Sequence, residues 1–419
     1  MGKSLKKAVS LVLIAAMVAG SLIGCGKSGS SETGSSSGGD TIKVGVLLDQ
    51  SGENAQTAST HGYQLAFDEI NAAGGVLGKK IEPIIVDCQS NTQKYQEMAK
   101  KLVLNDKVDV CFSSGTSASR EAIRPIFDEN KKLYIYPTFY EGGVADKYNL
   151  CTGSAPEQAI LPLLQYVKDN SIGGKVYILA ADYNYGQICS QWVQKYCDQL
   201  GMEVVGTEYV PLGVSQFNSS ISKIQSSGAD MVYTLLVGSS QFSFFEQWGT
   251  AGLSNVKLMS TCNIAYSYDH KRVKAPILNG MLAASTFFEE MDTDAAKAFV
   301  EKFRDAYPDE PYIYNEAEGA YSAVYLWKAA CEKAGTYDTE GVISAFQKNE
   351  IGYDAPSGKM TIDGTTNHAK LTVTIAEVQE DHTLKMVKTC EDMEPTYLKE
   401  LGIDLTKENP SKQYSPLDQ

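Results

Sequence analysis

The feature that most constrains the fold is a regular alternation of strand-like and helix-like segments from Thr41 onward. Ile42–Leu48 is a predicted buried strand, and apolar residues between Ala58 and Ala72 then recur at helical spacing. The same succession repeats at short intervals, which is typical of βαβ units and therefore of parallel sheets. A second series of the same kind starts near Gln158. The sequence therefore predicts an α/β protein.

Late segments of the chain return to both series. Short antiparallel strands are predicted at Lys359–Ile362, Leu371–Glu377 and Leu384–Lys388. We therefore expect two Rossmann-like lobes joined by a multi-strand hinge, with a ligand cleft between them that closes by hinge motion. The predicted division is 41–155 with 286–365 for lobe I, 156–285 with 366–392 for lobe II, and 393–419 for a C-terminal tail.

The first 25 residues are predicted to be an export signal. Three lysines precede an uncharged apolar run, Ala8–Gly24, which is short for a membrane span of about 20 residues. The run ends in Leu-Ile-Gly-Cys, which resembles the lipobox of bacterial lipoproteins. That resemblance implies a lipid on Cys25, which anchors the chain to the outer face of the cytoplasmic membrane. An ordinary secretory signal is the alternative. Residues 26–40 are a predicted Gly/Ser-rich tether.

Charge and motif content argue against several classes of function. The net charge of −14 disfavours nucleic acid and anionic membrane surfaces as partners, because both need clustered Lys and Arg. The histidines lack paired ligand spacing, so we predict no metal site and no cofactor. No GxGxxG loop follows the first strand, and no GxSxG elbow lies between a predicted strand and helix. We predict that the chain is not an enzyme, with an amidase as the alternative.

The cysteines show no metal-ligand or redox pattern. Apart from Cys25 there are eight, without a CxxC or Cys/His cluster. Cys189 and Cys197 are eight apart on one predicted helix, roughly 12 Å, which is too far for a disulfide. We expect mostly free, buried thiols and leave one disulfide pair open.

Hydroxyl and aromatic residues collect at the carboxyl ends of strands in both series. Several hydroxyls flank Gly115 at a predicted helix start, where free N–H groups favour a carbonyl or an anion. Capping of the helix or a core-edge aromatic cluster would also explain some of them. The candidate ligand-binding residues are Thr116, Ser117, Tyr136, Thr138, Tyr140, Tyr183, Tyr185 and Ser239.

From Thr41 to about Lys388 the chain resembles the type I periplasmic binding proteins of ABC transporters, in the branched-chain amino acid, amide and urea branch. The segment IKVGV lies at 42–46, AFDEINAAGGVLG at 66–78, TSASR at 116–120 and EYVPLG at 208–213. YPTFYEG at 136–142 and the Asp182-Tyr183 pair are similar to urea- and short-amide-binding members. The resemblance implies docking on ABC permease subunits.

The resemblance also implies roles for individual residues. Ser117, Tyr136 and Thr138 would line the pocket from the first lobe, and Tyr183 and Tyr185 would close over the ligand from the second. There are two departures. Relatives carry Tyr or Trp at the position of Gly115, which implies a missing wall, and Pro, Val or Gln at the position of Phe139, which implies that a ring refills the space.

The choice of ligand depends on charge. Amino-acid-binding relatives supply an acid for the ammonium group after the strand matching Lys257–Ser260, whereas this chain has no acid there before Asp269. Asp182 could serve. A neutral planar ligand needs hydroxyls, carbonyls and an aromatic lid, so we predict urea or a short amide. An amino acid or other small polar solute is the alternative, as is a ligand sensor of the same fold.

Overall fold

The described part of the molecule excludes the predicted export segment. The computed structural model describes residues 41–55, 57–348 and 351–417. The predicted signal peptide 1–25, with Cys25, and the predicted tether 26–40 lie outside the described residues. Within the described ranges, no helix is long and apolar enough to cross a membrane.

The secondary structure alternates as the sequence predicts. In the described ranges the strands are β1 (Thr41–Leu48), β2 (Lys80–Asp87), β3 (Val110–Ser114), β4 (Leu133–Tyr136), β5 (Val144–Ala145), β6 (Asn149–Cys151), β7 (Lys175–Ala181), β8 (Glu203–Val210), β9 (Met231–Leu235), β10 (Lys257–Ser260), β11 (Leu282–Ser285), β12 (Gly352–Ala355), β13 (Gly358–Asp363), β14 (His368–Val378), β15 (Leu384–Met393) and β16 (Lys412–Gln413). The helices are α1 (Thr57–Ala72), α2 (Thr92–Lys100), α3 (Ser117–Glu129), α4 (Pro156–Asp169), α5 (Asn184–Leu200), α6 (Asn218–Ser227), α7 (Ser239–Ala251), α8 (Asp269–Arg272), α9 (Asp294–Ala306), α10 (Asn315–Ala334), α11 (Thr339–Lys348) and α12 (Tyr397–Glu400). A π-helical turn, Lys101–Asp106, extends α2.

Apart from β5 and β16, which pair only with each other, the described strands form one long curled sheet with two parallel groups. The order is β2-β1-β3-β4-β6-β14-β11-β10-β9-β7-β8. We call β2-β1-β3-β4-β6 the first strand group and β11-β10-β9-β7-β8 the second; neighbours within each run parallel. The predicted α/β fold class is confirmed. The predicted boundaries of the two lobes stay a prediction.

Strand β14 joins the two groups. At its start, His368 lies opposite Cys151 of β6 in parallel pairing. Further along, Thr374 to Glu377 pair antiparallel with Ser285 to Leu282 of β11. β13 and β15 pair antiparallel with β14, in agreement with the late antiparallel strands that the sequence predicts. The two parallel groups therefore share one strand, which is what brings their carboxyl ends together.

Close packing of α1 on α10 fixes one edge of the cleft. A Cβ atom at Gly62 on α1 would lie 2.1 Å from the carbonyl oxygen of Ala317 on α10, so only glycine permits this approach. The α10 residues on this face are small and buried, including Ala317 and Ala320. As a consequence, the start of α10 is held beside the first strand group, where Tyr314 and Glu316 face the cleft.

The C-terminal tail is bonded to the segment that runs from α3 to β5. β16 pairs antiparallel with β5, so that Gln413 lies opposite Val144. Asn409 donates to a carboxylate oxygen of Asp128 at 2.6 Å, and Gln413 Nε2 donates to Glu141 Oε1 at 2.6 Å. The predicted polar tail is therefore an ordered part of the fold up to residue 417.

The thiols of the described residues are free. Cys390 is half-buried, and the buried ones are Cys88, Cys111, Cys151, Cys189, Cys197, Cys262 and Cys331. This agrees with the expectation of free, buried thiols, and the described residues contain no disulfide pair.

Candidate functional site

A cavity of about 420 Å³ lies where the carboxyl ends of the two strand groups meet. From the first strand group and α10 it is lined by Asp49, Glu53, Asn54, Ala55, Ser114–Ser117, Tyr136, Thr138, Phe139, Tyr314 and Glu316. From the second strand group it is lined by Tyr183, Tyr185, Val237–Ser239, Gln241–Ser243, Cys262, Tyr266–Asp269 and Arg272.

The predicted ligand-binding residues come together at this cavity, with one exception. Those that line it are Thr116, Ser117, Tyr136, Thr138, Tyr183, Tyr185 and Ser239. Tyr140 does not line it, because its hydroxyl contacts His368 Nε2 and its ring packs on Arg120, 4.7 Å from ring centroid to guanidinium carbon. Tyr140 therefore lies away from this cavity: its phenol points into the protein interior, and the residue is 2% exposed.

The β3–β4 cluster, which we define as Thr116, Ser117, Tyr136 and Thr138, uses most of its hydroxyls inside the protein. Thr116 caps α3, since its Oγ1 accepts from the backbone N–H of Ser119 at 3.2 Å. Ser117 Oγ donates to Glu141 Oε2, and the Tyr136 hydroxyl donates to the Gly115 carbonyl at 2.6 Å. Thr116 is therefore a helix cap, which is one of the alternatives that the sequence left open for it.

A buried ion pair supports the β3–β4 cluster from below. Arg120 Nη2 lies 2.7 Å from Glu141 Oε1, and both side chains are fully buried. Glu141 also receives hydrogen bonds from Ser117 and Gln413, and its backbone carbonyl accepts from Trp192 Nε1 of α5 at 3.0 Å. Because α5 follows β7, this residue of the first strand group is bonded to the second as well.

Thr138 is the member of the cluster whose side chain has no partner. Its Oγ1 is buried and makes no hydrogen bond to any described residue. The side chain is 8% exposed and lines the cavity. A buried hydroxyl without a partner costs about 1–3 kcal/mol, so Thr138 marks a place where a polar group of a ligand would be stabilised.

The two departures from the family pattern have structural explanations. A Cβ atom at Gly115 would lie 2.4 Å from the hydroxyl of Tyr95, so the phenol of Tyr95 occupies the space where a larger residue would begin. Tyr95 therefore explains why Gly115 carries no side chain, although Tyr95 itself does not line the cavity. Phe139 lines the cavity, with its ring 3.9 Å from that of Tyr266 and 5.5 Å from that of Tyr185.

A second set of lining residues was missed by sequence reasoning. We call Gln241, Phe242, Tyr268, Asp269 and Arg272 the α8 cluster. Arg272 Nη1 donates to Asp269 Oδ1 at 3.1 Å, and Gln241 Nε2 donates to Asp269 Oδ2 at 2.7 Å. The Arg272 guanidinium carbon lies 3.9 Å from the ring centroid of Phe242 and 5.4 Å from that of Tyr268. The cluster therefore presents a held guanidinium to the cavity.

The α8 cluster reaches the cavity because the loop after β10 folds back. Ala265 has a left-handed backbone, with φ of 76°, and its carbonyl accepts from the N–H of Asn315 at 2.7 Å. Ile264 and Ser267 form an isolated bridge across this turn. Asp269 lies nine residues after β10, and only its position as the first acid beyond that strand could have pointed to it.

Carboxylates outnumber cations along the cavity wall. Asp49, Glu53, Asp269 and Glu316 line it, against Arg272 among the described lining residues. Burial raises the pKa of Asp49 to about 6, although the N–H of Ser90 opposes this by donating to its carboxylate at 2.7 Å. Burial also raises the pKa of Asp269, against the opposing effect of Arg272.

Glu53 spans the two sides of the cavity. Ser239 Oγ at the start of α7 donates to Glu53 Oε1 at 3.0 Å. Glu53 lies in the loop after β1, so this hydrogen bond joins the first strand group to the second. The hydroxyl of Ser239, a predicted ligand-binding group, is engaged with protein in this arrangement.

The fold and the cavity together define a class of protein. A polar and aromatic cavity between two parallel strand groups suits the enclosure of a small solute. The described residues contain no group of three or more His, Cys, Asp or Glu side chains that could hold a metal ion. The class that these features define is a solute-binding protein with a central cleft.

Comparison with known families agrees with this class. Residues 41–383 match the model of the periplasmic binding protein family. The chain belongs to this family. Family membership places it outside the cytoplasm. It also confirms the prediction that the chain is not an enzyme, since the matching relatives are binding proteins.

Similar proteins are named for the binding of branched-chain amino acids or as homologs of such proteins. The leucine-, isoleucine-, valine-, threonine- and alanine-binding protein of Pseudomonas aeruginosa is 26% identical over 358 residues, which is 83% of this chain and 93% of the relative. The Leu/Ile/Val-binding protein homolog 2 of Brucella abortus is 28% identical over 331 residues, which is 75% of this chain and 86% of the relative.

Solved structures share the fold. An ABC transporter solute-binding protein from Rhodopseudomonas palustris, in complex with 3,4-dihydroxybenzoic acid, matches with a TM-score of 0.75 and 21% identity over 85% of this chain and 98% of that one. A leucine-binding protein from Thermotoga maritima matches with a TM-score of 0.73 and 19% identity, over 84% and 99%. These names speak of amino acids and aromatic acids, so the predicted urea and amide branch is taken up below as a proposal.

Proposed function

We propose that the chain is a lipid-anchored, extracytoplasmic substrate-binding protein of an ABC importer, and that its ligand is a short-chain amide. The observation that carries the choice of ligand is the Thr138 hydroxyl, which is buried in the cavity without a partner. An amide offers a carbonyl that accepts and an N–H that donates, so it can satisfy a hydroxyl in either direction.

Aromatic rings and a helix start support the same ligand. The first N–H groups of α3 have no carbonyl partner within the helix, and they begin at Ser117 in the cavity wall. Phe139, Tyr185 and Tyr266 form a ring-to-ring wall beside Thr138 in the lining. A neutral planar group fits between such rings without the desolvation cost of a charge.

Urea is the smaller of the ligands that the sequence predicts, and the cavity favours a longer one. A volume of about 420 Å³ is within the range of roughly 300–1,000 Å³ that is usual for sites of drug-sized ligands. Urea would leave most of this volume to water. A short acyl chain would cover the rings of Phe139 and Tyr266.

Thermal shift and calorimetry with purified protein test this proposal. Acetamide, propionamide and butyramide should raise the Tm and bind with measurable heat, and urea should bind more weakly. Thr138→Val should weaken amide binding by about tenfold, the effect of losing one hydrogen bond in a buried site. Thr152→Val is the matched control, because Thr152 Oγ1 is equally buried without a partner but does not line the cavity. Absence of binding by every amide would refute the proposal.

A second candidate ligand is an α-amino acid. Asp269 lies in the cavity wall despite its distance from β10 in sequence, so an acid for an ammonium group is present after all. The named relatives that bind amino acids point the same way. Leucine and alanine in the same calorimetric series decide between the two candidates, since tighter binding of either amino acid than of any amide favours this one.

The anchor and the transporter partner need separate tests. Cys25→Ala should release the protein from membranes into the soluble fraction, and labelled fatty acid should no longer be incorporated. Docking on permease subunits predicts that the liganded protein co-purifies with them. Co-purification with a signalling receptor in their place would favour the alternative of a ligand sensor with the same fold.

A further inference from the structure

The α8 cluster holds an arginine whose donors are only partly used. Nη1 of Arg272 bonds to Asp269, while Nε and Nη2 have no hydrogen-bond partner among the described residues. The side chain of Arg272 is 43% exposed and lines the cavity. A guanidinium has five N–H donors, so most of its capacity is available to a ligand.

The surroundings of Arg272 fix its orientation. Phe242 lies over the guanidinium at 3.9 Å, and Tyr268 lies at 5.4 Å. Tyr268 is itself stacked on Tyr314, the residue before α10, with centroids 6.2 Å apart. Rings that cover the faces of a guanidinium leave its edges free, and the edge is the part that binds a carboxylate with two parallel hydrogen bonds.

Asp269 is positioned by groups other than Arg272. Its Oδ2 accepts from Gln241 Nε2 at 2.7 Å, and its backbone N–H donates to Ser267 Oγ at 3.2 Å. Asp269 thus holds Nη1 and leaves the opposite edge of the guanidinium open. Asp269 therefore orients Arg272 toward an anionic group. Its role is more than the neutralisation of one surface charge.

The other carboxyl groups of the lining disfavour the binding of an anionic group elsewhere in the cavity. Three further acidic side chains, Asp49, Glu53 and Glu316, line the wall, so an anionic group is disfavoured except beside Arg272. The same acidic side chains leave the β3–β4 cluster to a group without negative charge, such as an amide. One cavity therefore offers a place for a group without negative charge at the β3–β4 cluster and a place for an anionic group beside Arg272.

We propose that Arg272 binds a carboxylate of the ligand, so that the transported solute is a small monoamide that also carries a carboxylate. This proposal rests on the proposed function, because it assigns the amide group to the β3–β4 cluster. The carboxylate lies along the Nε–Nη2 edge of Arg272, and the acyl chain between the two groups covers the aromatic rings of the cavity.

Matched ligands of equal length test this subsite. Glutaramate has an amide at one end and a carboxylate at the other, and glutaramide is its neutral diamide. The pairs succinamate with succinamide and adipamate with adipamide extend the series. At the best length the carboxylate should bind about tenfold to a hundredfold tighter than its diamide, the range for charge-assisted hydrogen bonds.

Variants of the cluster assign any preference to Arg272. Arg272→Gln should erase the preference for the carboxylate and leave binding of the diamide within about threefold. Arg272→Lys keeps the charge but not the paired geometry, so it should retain part of the preference. Lys271→Gln is the matched control, because Lys271 pairs with Glu290 at 3.0 Å and does not line the cavity.

The outcomes separate the two proposals. Equal binding of carboxylate and diamide at every length, unchanged in Arg272→Gln, overturns the anionic subsite and leaves the amide function standing. Binding of no amide of either kind overturns the proposed function, and the subsite with it. A carboxylate preference that Arg272→Gln removes and Lys271→Gln retains supports the subsite, and the circular dichroism and Tm of the variants show whether they are folded.

Discussion

The β3–β4 cluster and the α8 cluster line the same cavity but differ in how their polar atoms are used. In the β3–β4 cluster, Thr116, Ser117 and Tyr136 all bond within the protein, and only Thr138 has a hydroxyl without a partner. In the α8 cluster, Arg272 keeps two of its nitrogens uncommitted. The hydroxyls that the sequence predicts as ligand contacts in this cluster are thus mostly bonded within the protein, while Arg272, which was not predicted, has two nitrogens without a partner among the described residues.

Hydroxyls at strand ends can serve the fold as well as a ligand. A helix start needs a cap, and a buried arginine needs acceptors, so Thr116 and the Ser117–Glu141–Arg120 chain are explained by the fold alone. Such residues shape the wall of a cavity without contributing much to the affinity for a ligand. Specificity depends on the few atoms that the fold leaves unsatisfied.

Removing Arg120 is expected to give the largest effect on the β3–β4 cluster. Arg120→Met leaves Glu141 buried without its cation, which should lower the free energy of unfolding by about 3–5 kcal/mol in guanidinium denaturation. Lys328→Met breaks the half-exposed pair with Glu332 and should cost no more than about 0.5 kcal/mol. Equal losses in the two variants would show that the buried pair has no special role.

Gly115 tests whether Tyr95 closes the cluster. Gly115→Ala brings a Cβ atom to 2.4 Å from the Tyr95 hydroxyl, so it should lower the free energy of unfolding by about 1–3 kcal/mol. Adding Tyr95→Phe should restore part of the loss. Gly174→Ala, where nothing lies within 4 Å of the new Cβ, should stay within about 0.5 kcal/mol of wild type. Failure of Tyr95→Phe to restore any stability would place the clash elsewhere.

Asp49, in the wall of the cavity, is expected to make the stability of the protein depend on pH. Burial raises its pKa from 3.8 to about 6, with Asp87 adding to the rise, so the folded state holds the proton more tightly than the unfolded state. The stabilising effect is therefore complete below about pH 4 and is lost as the pH rises through 6. The Tm of wild type relative to Asp49→Asn should fall between pH 4 and pH 7. A constant difference over this range would contradict the raised pKa.

Substitution of Phe139 is expected to give the smallest effect, and to change only the preference of the site for longer or shorter ligands. Phe139→Leu removes a ring packed on Tyr266 and Tyr185, which should shift the affinity ratio of butyramide to acetamide upward by about threefold to tenfold. Phe299→Leu, in the core and away from the cavity lining, should lower the Tm without changing that ratio. An unchanged ratio in Phe139→Leu would mean that the ring does not limit the length of the ligand.

The fold class and most of the residues that line the cavity from the strand ends could be predicted from the sequence, for a physical reason. Parallel strands place their carboxyl ends on one edge, so Tyr136, Thr138 and Tyr183 could be brought together from strand positions alone. The α8 cluster depends on a turn at Ala265 and on the bond from Asn315, contacts between segments fifty residues apart. Tyr140 lies away from the cavity because the alternation of sides breaks down beyond the end of β4. No local pattern encodes either outcome.

The half-buried thiol of Cys390 is a native site at which a spectroscopic probe can be attached. Burial raises the pKa of the Cys151 thiol to about 12 and that of Cys262 to about 11, so these sulfurs resist alkylation at neutral pH. Cys390 lies on β15, directly opposite Val373 of β14, the strand that both parallel groups share. A fluorophore attached there would lie on the strand next to β14 and would report any change in the relative position of the two strand groups without an engineered cysteine.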